Sequence, residues 1–351
     1  MTILVTGGAG FIGANFLHEW LARSDEAVVN LDRMTYAGHP GNLSALSGDP
    51  RHRFIKGDIR DGEQIETILR EHRPRAIVHF AAESHVDRSI AGPEAFVFTN
   101  VVGTFNLLEA ARAYHGTLAD EAAAGFRFLH VSTDEVYGAL QADDPPFTEA
   151  SIVAPNSPYS ASKAGSDHLV RAYFHTYGLP VLTSNCTNNY GPRQFPEKFI
   201  PVVIERALAF EPVPIYADGK NVRDWIHVAD HCAALRLIME RGEPGTTYNV
   251  SAECERRNID LATAICDCVD ALAPDPQGRT RRTLLTRVAD RPGHDFRYAM
   301  SAARLRETLG WRPERSFADG LRQTVAWYLD NRQWVAEAQA RLDSARAETV
   351  A

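Results

Sequence analysis

The chain has 351 residues, 44% of them apolar and 23% charged, enough for two domains and unlike a disordered polymer, a collagen-like repeat or a disulfide-stapled miniprotein. Thirty-seven basic against 45 acidic side chains leave a formal charge of −8, so a bulk electrostatic grip on nucleic acid or an anionic membrane is not expected. No apolar run reaches the roughly 18 residues a spanning helix needs, the start does not read as a signal peptide, and five cysteines without a Cys-x-x-Cys read as thiols in a reducing cytoplasm rather than a zinc or disulfide framework.

In chain order, Ile3–Val5, Ala27–Leu31, Phe54–Ile55, Ala76–Phe80, Phe126–Val131 and Val181–Thr183 are short apolar runs that read as strands covered on both faces. Phe11–Arg23, Gln64–Glu71, Glu94–Tyr114 and Ser160–Tyr177 carry helical patterns between them. This alternation predicts an α/β fold, a doubly wound (Rossmann) parallel sheet with right-handed crossovers. From Asn185 to Asp224 prolines break the chain into short pieces with room for one helix near Lys198–Phe210. Val228–Glu240 is again helical and Thr247–Val250 strand-like, and helices at Ile259–Leu272 and Phe317–Leu329 follow. The expected division is a dinucleotide-binding domain of residues 1–185 plus about 222–250, and a smaller, mainly helical domain of about 186–221 plus 251–335. The tail 336–351 reads as an exposed helix or frayed end.

Gly7-Gly8-Ala9-Gly10-Phe11-Ile12-Gly13 lies between the first strand and the first helix. Glycines there let the backbone approach a pyrophosphate seated on the helix N-terminus. Asp32 ends the next strand, where an acid can hold ribose hydroxyls and repel a 2′-phosphate, favouring NAD over NADP; Arg33 beside it weakens that preference. Asp58, with Ile59, follows the third strand and reads either as an adenine-edge contact or as a simple Asx-turn.

Tyr159 and Lys163 stand four apart on one helix face, after Pro155-Asn156-Ser157-Pro158, which sets the helix start. An ammonium near a phenol is expected to lower its pKa from about 10, making it a base for a hydroxyl proton. Upstream, Ser132-Thr133-Asp134-Glu135 ends the fifth strand. Adjacent carboxyls there point different ways, and like-charge repulsion keeps one protonated, which suits an acid beside a base. The bland alternative is a solvated pair at a helix start.

These segments, with Ala81-Ala82-Glu83-Ser84-His85, Asn188-Asn189-Tyr190-Gly191-Pro192, Pro196-Glu197-Lys198-Phe199, Asn221-Val222-Arg223-Asp224-Trp225 and Arg291-Pro292-Gly293-His294-Asp295, resemble the extended short-chain dehydrogenase/reductase family, and within it the dTDP-glucose 4,6-dehydratases. The match runs from about residue 1 to 334. The resemblance implies NAD as cofactor and no metal. It implies that Tyr159, supported by Lys163 and Thr133, deprotonates the glucose C4 hydroxyl, that Glu135 removes the C5 proton, and that Asp134 protonates the departing C6 hydroxyl.

By the same comparison Gly7, Gly10, Phe11, Ile12, Gly13, Asp32, Asp58, Ile59, Ala81, Ala82, Ser84, Thr99 and Asn189 belong on the cofactor side. Ser84, Thr133, Asn188, Lys198, Phe199, Pro214, Ile215, Tyr216, Arg223, Asn258, His294, Asp295 and Tyr298 belong with the sugar nucleotide, dTDP-glucose. The chain departs from the family pattern at Thr187, Phe199 and Ala217, the last close to the expected base pocket. A UDP-sugar dehydratase or epimerase on the same fold is the nearest rival, because thymine and uracil differ by one methyl, worth about 1–3 kcal/mol. A non-catalytic NAD-binding sensor is a second, though it has no use for the acid pair. Phe96, Phe98, Phe105, Leu107 and Leu108 exceed one apolar stripe, and in this family such a face makes a homodimer.

Overall fold

Strand–helix alternation produces the sheet expected of it in a computed structural model that describes residues 1–290 and 295–350. The strands are β1 (Thr2–Thr6), β2 (Ala27–Asp32), β3 (His52–Lys56), β4 (Ala76–His79), β5 (Arg127–Thr133) and β6 (Val181–Cys186). There follow β7 (Asn188–Tyr190), β8 (Val213–Tyr216), β9 (Val222–His227), β10 (Thr247–Val250), β11 (Glu255–Arg257) and β12 (Leu285–Val288). Seven of them form one parallel sheet in the order β10-β6-β5-β4-β1-β2-β3. The central strands are buried along their length because helices cover both faces: Ile3, Leu4 and Val5 have no exposed surface, and the polar residues cluster toward the carboxyl ends. β3 is the exception. It is an edge strand, half-exposed along its length, and Phe54 sits there in contact with water.

One face of the sheet packs on the Phe11–Arg23 and Val228–Arg241 helices, where Phe16, Leu17, Trp20, Leu235 and Ile238 are buried together. The other packs on the Gly62–His72, Thr104–His115 and Pro158–Tyr177 helices. Each large side chain so buried contributes about 1.5–3 kcal/mol. A further apolar cluster gathers the Phe199–Ala209, Asn258–Leu272 and Phe317–Asp330 helices around Ile204, Ile265, Val325 and Tyr328. Beside it lie two small sheets, β11-β9-β7 and β12-β8.

Two elements differ from the sequence reading. The single helix expected over Glu94–Tyr114 is interrupted: Pro93–Phe96 is α-helical, Val97–Gly103 is a π-helical segment, and Thr104–His115 resumes the α-helix. Thr104 Oγ1 donates to the Asn100 carbonyl at 2.6 Å, inside a run crowded with β-branched residues, and side-chain back-bonding of this kind loosens a helix. The end of the chain is not frayed. Arg332–Val350 forms one helix, with Val335, Ala338, Leu342 and Ala345 buried along one stripe.

Chain order reverses between β1 and β4, the position at which open parallel sheets leave a crevice at their carboxyl ends. Register aligns Thr6 with His79, His79 with His130, and Thr133 with Cys186. The ends of β1, β4, β5 and β6 therefore form one rim.

Candidate active site

A cleft follows that rim. Its walls bring together Gly7, Gly10, Phe11, Ile12, Gly13, Asp32, Asp58, Ile59, Ala81, Ala82, Ser84 and Thr99 at one end. At the other they gather Thr133, Asp134, Glu135, Tyr159, Lys163, Asn188, Asn189 and Lys198. Arg33, Thr35, Cys186, Thr187, Gln194, Phe195 and Glu197 also line it; short-range spacing gave no signal for these.

The glycine turn has the shape a dinucleotide requires. Gly7 has φ +76°, and a Cβ there would fall 2.6 Å from the Ala81 nitrogen, so a side chain would shut the passage between β1 and β4. No side chain caps the start of the Phe11–Arg23 helix, leaving its N-terminal N–H groups and partial positive charge facing the cleft. Asp32 is nearly buried and accepts from Ala9 N at 2.8 Å and Met34 N at 2.7 Å. Both carboxylate oxygens thus serve the turn while the side chain borders the cleft. Arg33 does not compete for it, because its guanidinium lies 3.3 Å from Asp58. Asp58 itself closes an Asx-type turn, accepting Arg60 N at 3.0 Å and pairing with the Arg60 guanidinium at 2.7 Å. These residues fit NAD.

At the reacting end, Ser157 caps the Pro158–Tyr177 helix: its Oγ accepts Ser160 N at 3.1 Å while Ser160 Oγ accepts Ser157 N at 3.0 Å. That box, with Pro158 in the first turn, fixes where Tyr159 begins. Lys163 is buried one turn on and donates from Nζ to the Val131 carbonyl at 2.9 Å. Tyr159 hydrogen-bonds Thr133, but burial and the neighbouring Glu135 charge push its phenol well above the ordinary value. This reverses the expected lowering by Lys163, whose ammonium is held by a strand carbonyl and is itself disfavoured by burial.

Asp134 and Glu135 open a short 3-10 turn, Asp134–Tyr137, directly after β5. Asp134 is 2% exposed. Thr133 Oγ1 donates to its Oδ1 at 3.2 Å, and its Oδ2 has no partner among the described residues. Burial, then the charges of Glu135 and Asp224, push this carboxyl well above the usual carboxylate range, which favours its protonated form. Glu135 is half-buried on the cleft wall. The solvated helix-start alternative therefore does not describe Asp134.

Behind Lys163 lies a buried relay that the motif reading passed over. Asp167, one turn further along the helix, accepts from His130 Nε2 at 3.0 Å and Ser132 Oγ at 2.8 Å. Lys163 Nζ is 3.5 Å from the same His130 nitrogen. Burial raises Asp167 to about 6, against the opposing pull of Lys163, while burial and Lys163 keep His130 neutral. Lys-x-x-x-Asp on a helix and His-x-Ser on a strand each share a face, which is the signal that could have found them.

Of the residues expected around the sugar nucleotide, Ser84, Thr133, Asn188 and Lys198 line the cleft, and Lys198 Nζ donates to the Ser84 carbonyl at 3.0 Å. Asn188 Oδ1 is buried without a protein partner. Asn189, on the cofactor side, spends its amide on the Thr187 carbonyl and His231. Phe199, Pro214, Ile215, Tyr216, Arg223, Asn258, Asp295 and Tyr298 lie outside the cleft walls. Phe199 and Asn258 open helices, and Pro214, Ile215 and Tyr216 run along β8, where Ile215 is buried in the core. Arg223 stacks 4.3 Å from the Tyr298 ring centre and donates to the Asp295 carbonyl at 2.9 Å; Tyr298 in turn donates to the Asp295 carboxylate. His294 lies outside the described residues.

Residues 4–324 match the family described as GDP-mannose 4,6 dehydratase. A dTDP-glucose 4,6-dehydratase of Xanthomonas campestris pv. campestris is 57% identical over 334 residues, 95% of each chain. The chain belongs to the dTDP-glucose 4,6-dehydratase family. A solved member of that family, DesIV from Streptomyces venezuelae with NAD and dTDP bound, is similar with a TM-score of 0.86 and 46% identity, over 96% of this chain and 100% of that one. UDP-glucose 4-epimerase from Thermotoga maritima reaches a TM-score of 0.82 at 28% identity, over 95% and 100%. A 4,6-dehydratase and a 4-epimerase thus share this fold.

Proposed function

We propose that this protein converts dTDP-glucose to dTDP-4-keto-6-deoxyglucose and water, with NAD as resident cofactor in the cleft. The observation that carries this reading is Asp134: a buried carboxyl, raised by burial toward its protonated form, with one oxygen unpartnered among the described residues, one peptide bond from Glu135 at the nicotinamide end of a dinucleotide cleft. An epimerase or a sensor has no leaving hydroxyl to protonate.

NAD, when bound, supplies a positively charged ring that takes hydride from the sugar C4 and returns it at C6. Tyr159 receives the C4 hydroxyl proton, and Thr133 orients the phenol. Because burial and Glu135 hold that phenol protonated, its ionisation waits on a positive charge entering the cleft. Lys163 stays beneath the phenol as an ammonium on the Val131 carbonyl, and over the whole cycle the proton taken from the C4 hydroxyl replaces the one Asp134 gives to the departing water. Once C4 is a ketone, the C5 proton is acidic enough for Glu135 to remove it. Asp134 gives its proton to the C6 hydroxyl, which leaves as water and not as hydroxide. Glu135 then returns its proton to C5, and the net change is the loss of one water.

In this assignment Gly7, Gly10, Phe11, Ile12, Gly13, Asp32, Ile59, Ala81, Ala82 and Thr99 hold the cofactor, with Asp58 and Asn189 shaping its pocket. Lys198 and Asn188 meet the diphosphate end of the substrate, because a net-acidic chain must concentrate its cations where phosphates sit. Arg223, Tyr298 and Asp295 make the neighbouring nucleotide wall, with Pro214, Ile215, Tyr216, Phe199 and Asn258 toward the base. Residues 1–185 with 222–250 serve the cofactor, and 186–221 with 251–335 serve the sugar nucleotide. The enzyme works in the cytoplasm as a homodimer. Phe96, Leu107 and Leu108 are used inside the protomer, whereas Val97, Phe98 and Phe105 remain 44–48% exposed on the same helical stretch, a face suited to a second copy.

Parallel incubations with dTDP-glucose and UDP-glucose, read by mass spectrometry, test the reading. A product one water lighter from dTDP-glucose is expected. A product of unchanged mass from either sugar would assign the cleft to epimerisation instead.

A further inference from the structure

No described residue of the Arg332–Val350 helix lines the cleft, yet the helix is bonded to the loop that forms the adenosine end of the cleft. Trp334 Nε1 donates to Asn42 Oδ1 at 2.9 Å, and Asn42 Nδ2 donates to the Ala9 carbonyl at 2.8 Å. Ala9 lies in the middle of the glycine turn, and its own N–H donates to Asp32 Oδ2 at 2.8 Å. One buried amide, with both its polar atoms engaged, therefore ties the end of the chain to the pyrophosphate turn and, through it, to the ribose carboxylate.

A second tie is independent. Arg341 Nη2 donates to the Thr35 carbonyl at 2.9 Å, and Thr35 is part of the cleft wall just after Asp32. The fit is close as well as bonded: a Cβ on Gly41 would lie 2.9 Å from the Trp334 ring, and the His39 ring centre is 5.1 Å from that of Trp334.

We propose that Trp334 and Arg341 are positioning residues for the cofactor, bracing the glycine turn and the loop after Asp32 so that bound NAD is held between turnovers. The inference rests on the NAD reading given above. It also fits the chemistry, since a hydride taken and returned in one cycle leaves no reason for the cofactor to depart. Asn42 transmits the brace; neither it nor Trp334 lines the cleft.

The test is the dissociation rate of NAD from the holoenzyme, followed by exchange against excess labelled NAD. Trp334→Phe keeps an aromatic side chain but removes the N–H donor together with the five-membered ring, a packing loss that the thermal midpoint reads, and Arg341→Ala removes the second tie. Each is expected to speed NAD release about twofold to tenfold, the range for loss of one hydrogen bond, with kcat unchanged at saturating NAD. The double variant is expected to lose NAD on desalting where the wild type keeps it. Thermal midpoints of the NAD-free proteins separate bracing from general stability. A lowered midpoint with an unchanged NAD release rate in both single variants overturns the proposal. A wild-type protein that binds no NAD at all overturns the cofactor reading beneath it.

Discussion

Asp134 and Glu135 are joined by one peptide bond and both border the cleft, yet the first is 2% exposed and the second only half-buried. The 3-10 turn after β5 makes the difference, turning one carboxyl inward and leaving the other on the wall. Glu135→Gln is expected to abolish exchange of the substrate C5 hydrogen with deuterated solvent, measured by NMR; full-rate exchange would remove Glu135 from the mechanism. Asp134→Asn is expected to slow water loss by at least tenfold while leaving C5 exchange nearly intact. Its pH behaviour follows from the sign of the shift. A carboxyl raised by burial acts as an acid until pH passes its folded pKa, so Asp134 contributes the alkaline fall of kcat, and the asparagine variant loses that limb. The acid pair, the glycine turn and the Tyr159/Lys163 spacing were legible in the sequence because each is local. The protonation of Tyr159 was not, because it depends on how deeply the ring is buried and on Lys163 being turned toward Val131.

At the scale of elements, the Pro158–Tyr177 helix carries the base, its lysine and the relay carboxylate on successive turns. Asp167, raised by burial to about 6, makes a stability contribution that is complete below about pH 4 and lost as pH rises through 6. The shift corresponds to about 3 kcal/mol. Asp167→Asn is expected to flatten the pH dependence of the denaturation midpoint across that window and to lower kcat by leaving Lys163 without its partner. An unchanged pH slope would place the carboxylate elsewhere in the titration. Ser157→Ala, which opens the capping box, should cost about 1 kcal/mol in chemical denaturation and also reduce kcat, since Tyr159 sits in the first turn. Helix and strand positions were readable from apolar periodicity. The π-helical break at Val97–Gly103 was hidden because the local loosening by β-branched residues and the Thr104 back-bond is joined by a tertiary tie: Asn100 spends its amide on the Glu83 backbone and on Ser162 Oγ at 2.8 Å, linking three segments. The buried stripe of the last helix was missed because two of its four members are alanines, which carry little hydrophobic signal.

Across the whole molecule, the parallel sheet supplies a rigid rim, and the region beyond Asn185 adds Asn188 and Lys198 to the cleft wall. Paired copies are expected in solution. Phe98→Glu with Phe105→Glu should shift the sedimentation coefficient to that of a single chain, whereas an unchanged value would place the contact on another face. The central claim is that hydride leaves C4 and returns to the same molecule at C6. Supplying dTDP-glucose deuterated at C4, in ordinary water and without added reductant, tests this directly by NMR and mass spectrometry of the product. The expected product is one water lighter and carries the deuterium at C6. A product with that deuterium absent from C6, or with no water lost, would contradict the account.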